Sequence, residues 1–230
     1  MAFELQQVVP WGRTMDEYIR MFSLKEDDLN KQIVGFGDGP ASFNAEMTKH
    51  NRNVVSIDPI YQFTRTEIAE RIEETCSVVI DQTSKNKELF IWDEIPDVFS
   101  LEQIRMKAMN DFLADFEIGK KESRYLTHVL PDRTNFEDSQ FELGLSSHFL
   151  FLYPQLGIDF HIMALKEMLR ICKEVRIFPL QNLNAEVSEI LDKVIAFFKA
   201  SYHIDIQKVN YEFQKGSDKM MVLKNKQQFV

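Results

Sequence analysis

Three glycines near the start of the chain could let a ligand approach the main chain closely. Gly35, Gly37 and Gly39 lie in the stretch KQIVGFGDGPASFN, directly after an apolar segment. Glycine has no Cβ atom and tolerates a positive φ, so such a turn can hold a phosphate, a dinucleotide or the methionine end of S-adenosylmethionine. The alternative is a tight turn between a strand and a helix that binds no ligand.

An acidic residue follows at the end of the next apolar segment. Asp58 closes the stretch NVVSIDP, and Pro59 then prevents further strand pairing. An acid at this place in a strand–helix–strand unit can accept hydrogen bonds from the ribose hydroxyls of a nucleoside. Asp before Pro also begins ordinary turns, which is the alternative explanation of Asp58. The glycine turn and the acid together favour a ligand that contains a nucleoside.

The spacing of the glycines argues against two common nucleotide motifs. The dinucleotide pattern Gly-x-Gly-x-x-Gly would need a third glycine where Pro40 or, in the next register, Ser42 stands. A P-loop would need Gly-Lys-Ser or Gly-Lys-Thr, and neither follows. A nicotinamide-dependent oxidoreductase is therefore a weaker hypothesis, although Asp58 fits it.

A histidine lies beside two serines at the end of another predicted strand, QFELGLSSHF. His148 could act as a general base if the reacting nucleophile arrives protonated. A histidine that positions a ligand or a loop is the favoured alternative. The aromatic run HFLFLY, which begins at His148, could line a substrate site or pack in the core.

Strands and helices alternate along most of the chain, as in doubly wound folds. Near the C-terminus, two strand-like segments flank the turn KGSD and predict an antiparallel hairpin. The expected fold is therefore α/β, with a Rossmann-like, seven-stranded, mostly parallel sheet that ends in this hairpin. The predicted strands are 32–36, 53–57, 124–130, 140–149, 174–180, 203–213 and 219–225, and the helices among them are 41–50, 159–173 and 184–200.

Two helical regions complete the expected single domain, residues 1–230. Residues 1–30 predict N-terminal helices that cover the site as a lid. Residues 62–123 predict a helical insertion before the sheet resumes. Ser23 and Ser100 each begin the sequence pattern of a capping box, which predicts a helix start at each.

Composition and charge argue against several classes of function. The formal net charge is −9, which disfavours a nucleic-acid partner because such interfaces need clustered lysines and arginines. The two cysteines give neither a disulfide framework nor a metal motif, and Cys172, on the apolar side of a predicted helix, is expected to be a buried thiol. No apolar run is long enough to cross a membrane. A cytoplasmic protein with a small-molecule partner is expected, and the oligomeric state stays open.

Four stretches of the chain resemble the class I S-adenosylmethionine-dependent methyltransferases. GFGDGPA is similar to their first motif, VVSIDP to the second, FELGLSSHFLFLY to the fourth-strand motif and YEFQKGSDKMMVL to the hairpin that closes their sheet. The likeness covers most of residues 31–224 outside the helical insertion. WGR, DEYIRMFSL and EVRIFPL, with other stretches, resemble more narrowly a set of bacterial methyltransferase-like proteins.

The resemblance implies methyl transfer from S-adenosylmethionine to an unidentified small-molecule acceptor. A methyltransferase-like protein that only binds or regulates is the alternative, and the oxidoreductase is a weaker one. The implied cofactor site consists of Gly35, Phe36, Gly37, Asp38, Gly39, Asp58, Pro59, Ile60 and Ser146, with Tyr61 as an alternative to Ile60, His148 as the candidate catalytic base, and Tyr18 and Tyr153 as substrate or lid residues.

The chain departs from this family at Gly35, where an acid usually helps to orient the amino group of the cofactor. Asp38 is a possible substitute for that acid. For an acid that contacts the adenine after the third strand, Asp132 is the nearest candidate. Arg13, before the first strand, could pair with a carboxylate, but an ordinary surface arginine is the favoured interpretation.

Overall fold

A seven-stranded sheet forms the centre of the computed structural model, which describes residues 9–226. The strands are β1 (Ile33–Phe36), β2 (Val54–Ile57), β3 (Tyr125–Leu126), β4 (Phe141–Ser147), β5 (Cys172–Phe178), β6 (Tyr202–Lys208) and β7 (Lys219–Asn225). Their order across the sheet is β3-β2-β1-β4-β5-β7-β6. Strands β1 to β5 run parallel, whereas β7 is antiparallel to both β5 and β6. The expected α/β fold with a C-terminal hairpin is thereby confirmed.

The helices begin where a side chain can satisfy the free amide groups of the first turn. Thr14 accepts a hydrogen bond from the main chain of Glu17, and Thr64 does the same for Glu67. The α-helices are α1 (Met15–Met21), α2 (Glu26–Leu29), α3 (Phe43–Lys49), α4 (Arg65–Lys85), α5 (Val98–Lys121), α6 (Ile158–Ile171) and α7 (Leu191–Phe198).

Hydrophobic cores lie on both faces of the sheet, because successive residues of a strand point to opposite sides. In β1, Ile33 packs in one core with residues of α1, α2 and α3. Val34, the next residue, packs in the other core with residues of α6 and α7. All four residues of β1 are buried, as expected for a central parallel strand. The sheet thus holds the carboxyl end of β1 at a fixed place in the middle of the molecule.

The predicted helical insertion between β2 and β3 is confirmed and consists of two long helices. Helix α4 packs against α5, and their apolar side chains form a third core with Tyr61 and Tyr125. Helix α4 continues to Lys85, through a segment whose sequence favoured no particular structure. The insertion therefore has a core of its own beside the edge of the sheet.

Several predicted elements are shorter than their sequence patterns suggest. Strand β6 ends at Lys208 and not at 213. Strand β3 has two residues instead of 124–130, because its partner β2 ends at Ile57 and the chain then turns into a 3-10 helix at Pro59. Helix α7 begins at Leu191 and not at 184. The side chain of Asn182 accepts two main-chain hydrogen bonds, from residues 184 and 186, and these form a turn that competes with the helix.

Three local predictions are wrong. Ser23 has φ +47 and ends α1, so it does not begin the next helix. Ser100 lies within the first turn of α5, whose cap is Asp97, because the Asp97 carboxylate accepts a hydrogen bond from the Ser100 amide at 2.7 Å. Cys172 is the first residue of β5 and not part of a helix, although its thiol is buried as expected.

Candidate functional site

The carboxyl ends of β1, β2 and β4 surround a cavity of about 260 Å³, here called the first cavity. Successive strands lie on one side of β1 up to β3 and on the other side from β4 onward. Open α/β sheets bind ligands at this kind of reversal in strand order. Eight residues predicted from the sequence line the first cavity: Tyr18, Gly37, Asp38, Gly39, Asp58, Pro59, Ile60 and His148.

The Asp38 carboxylate occupies the space directly beside Gly35. A Cβ atom at Gly35 would lie 1.8 Å from Asp38 Oδ2, so a side chain there would collide with the carboxylate. Asp38 Oδ1 accepts a hydrogen bond from the Tyr18 hydroxyl at 2.8 Å, and Oδ2 accepts one from Ser56 Oγ at 2.6 Å. An acid three residues further along the chain thus places its carboxylate where a side chain at position 35 would begin.

Asp58 holds the glycine turn from the neighbouring strand. Its Oδ2 accepts a hydrogen bond from the Gly39 amide at 2.9 Å, and its Oδ1 accepts one from the Ile60 amide at 2.8 Å. Burial raises the pKa of Asp58 to about 6. Burial also raises the pKa of Asp38 to about 6, despite the hydrogen bonds that it accepts. Both carboxylates are ionised at neutral pH and keep lone pairs for a ligand.

The turn after β1 needs glycine because its backbone is left-handed at two positions. Gly37 has φ +66 and Gly39 has φ +53. A Cβ atom at Gly37 would also lie 3.0 Å from the Phe149 ring, whereas nothing lies within 4 Å of a Cβ atom built at Gly39. The main chain at Gly39 is therefore open to the first cavity. The Tyr61 hydroxyl donates a hydrogen bond to the Gly39 carbonyl oxygen at 2.7 Å.

Several residues predicted for the site do not line the first cavity. Gly35 and Phe36 are buried within β1, and Phe36 packs in the core. Ser146 is buried in β4, and its Oγ has no hydrogen-bond partner in the described part of the chain. Tyr61 is buried in the core of the helical insertion, so Ile60 is the residue that faces the cavity. Tyr153 lines a second, neighbouring cavity.

Tyr18 forms part of the cavity wall and is not a residue of a movable lid. Its side chain is 1% exposed, and its ring stacks on Phe43 with 4.5 Å between the ring centroids. The predicted lid, 1–30, therefore contains a helix that packs firmly in the core. Residues 1–8 of that segment lie outside the described residues. Asp132, the candidate for contact with adenine, is an exposed loop residue and does not line the first cavity.

His148 lines both cavities and lies between them. Its φ is +51, a left-handed backbone that is unusual for a residue other than glycine and is often found at functional sites. Its ring Nδ1 lies 2.9 Å from Ser147 Oγ. Burial lowers the pKa of His148 well below its usual value, and Arg13 and Arg105 lower it further. The ring is therefore neutral at pH 7.

The second cavity has a volume of about 110 Å³ and mainly apolar walls. Aromatic and aliphatic side chains from α5, from the loop after β4 and from the C-terminal hairpin line it. Its lining includes Leu101, Leu152, Tyr153, Phe178, Tyr211 and Phe213. Trp11, Arg13 and His148 line both cavities, so the two share a wall.

A buried ionic network beside the second cavity was not predicted from the sequence. Arg105 on α5 donates two hydrogen bonds to Glu17 on α1, at 2.6 and 2.7 Å, and the Tyr211 hydroxyl donates another at 2.8 Å. Burial alone would raise the pKa of Glu17, but Arg105 lowers it below its usual value. Arg105 stands in the apolar stripe of α5 between Leu101 and Ala108. A charged residue in such a stripe is the signal that could identify it.

The interpretation of Arg13 as an ordinary surface arginine is wrong. Its side chain lines both cavities, and its Nη1 donates a hydrogen bond to the Trp11 carbonyl oxygen at 2.8 Å. Its Nε is buried and has no hydrogen-bond partner within residues 9–226. Burial lowers the pKa of Arg13 to about 10, and the nearby Arg105 contributes, so the guanidinium remains charged at neutral pH. Arg13 lies in a loop without periodicity, so no sequence pattern distinguishes it.

Residues 9–226 contain neither a metal-binding cluster nor a helix suited to crossing a membrane. In that part of the chain, no three His, Cys, Asp or Glu side chains come together as a metal site. None of the helices described there combines the length and the apolar character that a membrane crossing requires.

Solved structures with similarity to this chain include methyltransferases. The TehB-like SAM-dependent methyltransferase of Corynebacterium glutamicum aligns with a TM-score of 0.46 and 15% identity, over 86% of this chain and 81% of that one. A SAM-dependent methyltransferase from Aquifex aeolicus aligns with a TM-score of 0.40 and 12% identity, over 91% and 87% of the two chains. These likenesses concern the fold alone.

No protein-family model matches the chain. The uncharacterised protein MJ0045 of Methanocaldococcus jannaschii is 37% identical over 226 residues, which cover 96% of this chain and 97% of that protein. This relative is archaeal, so the narrower resemblance to bacterial proteins is not confirmed. Identity at this level over nearly the full length of both proteins shows that the chain belongs to the family of MJ0045.

Proposed function

We propose that the protein is an S-adenosylmethionine-dependent methyltransferase that acts on a small molecule. One observation carries the proposal: Asp38 and Asp58 present two carboxylates to a single cavity beside the glycine turn. Asp38 supplies, in the space beside Gly35, the acid that the resemblance leads us to expect there. The small volume of the second cavity supports a small acceptor over a macromolecular one.

The residues of the first cavity fit S-adenosylmethionine. This ligand carries a cationic amino group at its methionine end and two hydroxyls on its ribose, and a carboxylate is a strong hydrogen-bond acceptor for each. Asp38 would accept from the amino group, and Asp58 would accept from the ribose hydroxyls. Ile60 would contact the adenine, and the open main chain at Gly39 leaves room for the ligand.

Bound S-adenosylmethionine supplies a methyl group on a positively charged sulfur, and its transfer to a nucleophile leaves the neutral thioether S-adenosylhomocysteine. The chain then has to bind and orient the acceptor and to exclude water. His148, between the two cavities, can accept a hydrogen bond or a proton from a protonated nucleophile. Because its lowered pKa makes it a weak base, orientation of the nucleophile is the larger part of the role that we assign to it.

Isothermal titration calorimetry with S-adenosylmethionine, S-adenosylhomocysteine and NAD tests the proposal. We expect both adenosyl ligands to bind, and Asp58→Asn to weaken them by about tenfold, because an amide offers one acceptor oxygen in place of two. Asp192→Asn makes the same charge change at an exposed residue of α7 and should leave binding unchanged.

Three other outcomes would contradict the proposal. NAD binding without binding of an adenosyl ligand would indicate an oxidoreductase. Adenosyl-ligand binding without a methylated product, when the protein and S-adenosylmethionine are incubated with a metabolite extract and followed by mass spectrometry, would indicate a protein that only binds or regulates. Binding of none of the three ligands would leave the two carboxylates without a cofactor.

A further inference from the structure

The second cavity is lined by residues whose polar atoms lack a partner among residues 9–226. Ser217 is 4% exposed, and its Oγ makes no hydrogen bond. The Nε atoms of Arg13 and Arg105 are also buried and unpaired. Buried polar atoms without a partner are uncommon because each unmade hydrogen bond costs stability. Arg13, Arg105 and Ser217 thus bring donor-bearing side chains to the wall of the second cavity, which favours a ligand that carries acceptor atoms.

One positive charge at the second cavity is not neutralised. Arg105 is paired with Glu17 through two hydrogen bonds. Arg13 has no ion pair with a carboxylate in the described part of the chain, and its guanidinium contacts the Trp11 carbonyl oxygen instead. Asp38 and Asp58 line the first cavity and not the second. Because a poorly solvated charge is costly without a partner, the second cavity favours an anionic ligand over a cationic one.

The size and walls of the second cavity restrict the rest of the ligand. A water molecule needs about 10–15 Å³ of such space, so the volume of about 110 Å³ has room for a ring or a short chain. The walls around the polar atoms are apolar side chains, among them Leu101, Leu152 and Phe178. A phosphate dianion would bring more charge than Arg13 alone neutralises, whereas a carboxylate brings one.

We infer that the second cavity binds the methyl acceptor, and that this acceptor is a small carboxylic acid with an apolar or aromatic body, whose carboxylate pairs with Arg13. The role of this acid as acceptor rests on the proposed function, whereas its binding does not. His148, on the wall shared with the first cavity, would then lie beside a hydroxyl or amine at the other end of the acid. That oxygen or nitrogen forms the bond to the methyl carbon as the sulfur–methyl bond breaks, and its proton passes to His148 or to solvent. Acids without this hydroxyl or amine serve as non-reacting ligands of the same cavity.

Arg13 also lines the first cavity, so a competing assignment exists. In that assignment Arg13 pairs with the carboxylate of the adenosyl ligand. The two assignments differ in which ligand loses affinity when the guanidinium is removed. 5′-Methylthioadenosine lacks the amino-acid end of the cofactor, so it serves as the matched ligand that Arg13 would not contact in the competing assignment.

The experiment compares Arg13→Met and Arg13→Lys with Arg133→Met, which removes an exposed arginine of a loop. Calorimetry, with and without saturating S-adenosylhomocysteine, measures binding of phenylacetate, indole-3-acetate and hexanoate, each beside its amide and its amine. We expect at least one acid to bind, about tenfold or more tighter than its amide and amine. Arg13→Met should weaken that acid at least about tenfold, Arg13→Lys should weaken it less, and Arg133→Met should have no effect.

The inference and the proposed function can fail separately. If S-adenosylhomocysteine binds and no acid does, or if an amide or amine binds as well as its acid, the inference is overturned and the proposed function stands. If Arg13→Met weakens S-adenosylhomocysteine tenfold, but changes neither 5′-methylthioadenosine nor the acid, Arg13 belongs to the cofactor and the inference is also overturned. Binding of an acid that depends on Arg13, without binding of any adenosyl ligand, would support the anion site and contradict the methyltransferase.

Discussion

Asp38 and Asp58 carry a cost in stability when no ligand is bound. Burial raises the pKa of each to about 6, above the value of about 4 for a free aspartic acid. The folded protein therefore binds protons at these two groups more tightly than the unfolded chain does. Their contribution to stability is complete below about pH 4 and is lost as the pH rises through about 6. At neutral pH the two buried carboxylates therefore lower the free energy of unfolding of the unliganded protein. A ligand that donates hydrogen bonds to them offsets this loss.

Removal of the charge at Asp38 should stabilise the unliganded protein. Asp38→Asn keeps the shape of the side chain, and the hydroxyls of Tyr18 and Ser56 can rotate to suit an amide. We expect the free energy of unfolding in urea to rise by about 1–3 kcal/mol at pH 8 and to change little at pH 5, where the native carboxyl is already protonated. Asp192→Asn is the control. Equal destabilisation at both pH values would contradict this explanation.

Binding of the adenosyl ligand should weaken in acid. Ionised Asp38 and Asp58 are the expected acceptors, so S-adenosylhomocysteine should lose affinity as the pH falls through about 6. The expected loss from pH 7 to pH 5 is about tenfold for each group that must be ionised. Calorimetry across this range measures it, with Asp38→Asn removing one of the two contributions. An affinity that does not depend on pH would show that neither carboxylate binds the ligand.

The positions of the site residues could be predicted only where the residues belong to one short segment of the sequence. The glycine turn and Asp58 belong to one strand–helix–strand unit, and the structure places them around one cavity. Glu17 and Arg105 are separated by 88 residues, and their role follows from a contact that no local pattern encodes. Arg13 lies in a loop, and its importance arises from the two cavities on either side of it.

At the scale of elements, the ion pair between Glu17 and Arg105 fastens α1 to α5. The N-terminal helix is thereby attached to the helical insertion. Arg105 of α5 lines the second cavity, whereas α1 lines the first cavity through Tyr18. The apolar packing of Tyr18 against Phe43 fastens the same helix to α3. The cavity walls are therefore built from elements that are distant in the chain, and they depend on α1 staying in place.

Loss of the Glu17 charge should destabilise the protein strongly. Glu17→Gln leaves the Arg105 guanidinium buried without a counterion, and we expect a loss of about 3–5 kcal/mol in the free energy of unfolding. Asp16→Asn, on the exposed side of the same helix, removes a surface ion pair and should cost less than about 1 kcal/mol. Urea unfolding of both variants measures the difference. Similar small losses in the two would mean that α1 is held by its apolar contacts alone.

The existence of the main elements could be predicted, but several of their boundaries could not. Apolar periodicity located β1, β2, β4 and the C-terminal hairpin, because a buried face produces a regular spacing of apolar residues in the sequence. The length of β3 depends on how far its partner continues, and the start of α7 depends on the side-chain turn at Asn182. These are properties of contacts between segments, which the spacing of residues within one segment does not contain.

At the scale of the whole molecule, the charge of the second cavity differs in sign from the charge of the protein. The chain carries a formal net charge of −9, yet the guanidinium of Arg13, which has no carboxylate ion pair within residues 9–226, makes the interior of this cavity positive. The first cavity is lined by Arg13 and Arg71 as well, but it also has the carboxylates of Asp38 and Asp58, which do not line the second cavity. Such a pair of adjoining cavities would separate a cationic cofactor from an anionic acceptor before the two meet at their shared wall.

Ligand binding at the first cavity should raise the thermal stability of the whole fold, because the cavity draws on three strands of the central sheet. S-adenosylhomocysteine at about one hundred times its Kd should add about 2.7 kcal/mol, which corresponds to a Tm increase of about 5–10 °C for a chain of this size. Differential scanning calorimetry measures the shift. Asp58→Asn should reduce it, and NAD should not produce it. An unchanged Tm would show that the ligand does not bind the folded protein in preference to the unfolded chain.

The Asp38 carboxylate beside Gly35 shows that the position of a functional group in the sequence can differ from its position in space. A sequence motif that requires an acid at position 35 meets glycine there, so the acidic side chain counts as absent. In three dimensions the oxygen atoms are there, delivered by a residue from beyond the turn. The absence of a Cβ atom at Gly35 leaves room for these oxygen atoms. The glycine at position 35 and the aspartate at position 38 therefore depend on each other. If Asp38 binds the amino group of the cofactor as we propose, this chain carries the chemistry of the motif by another route.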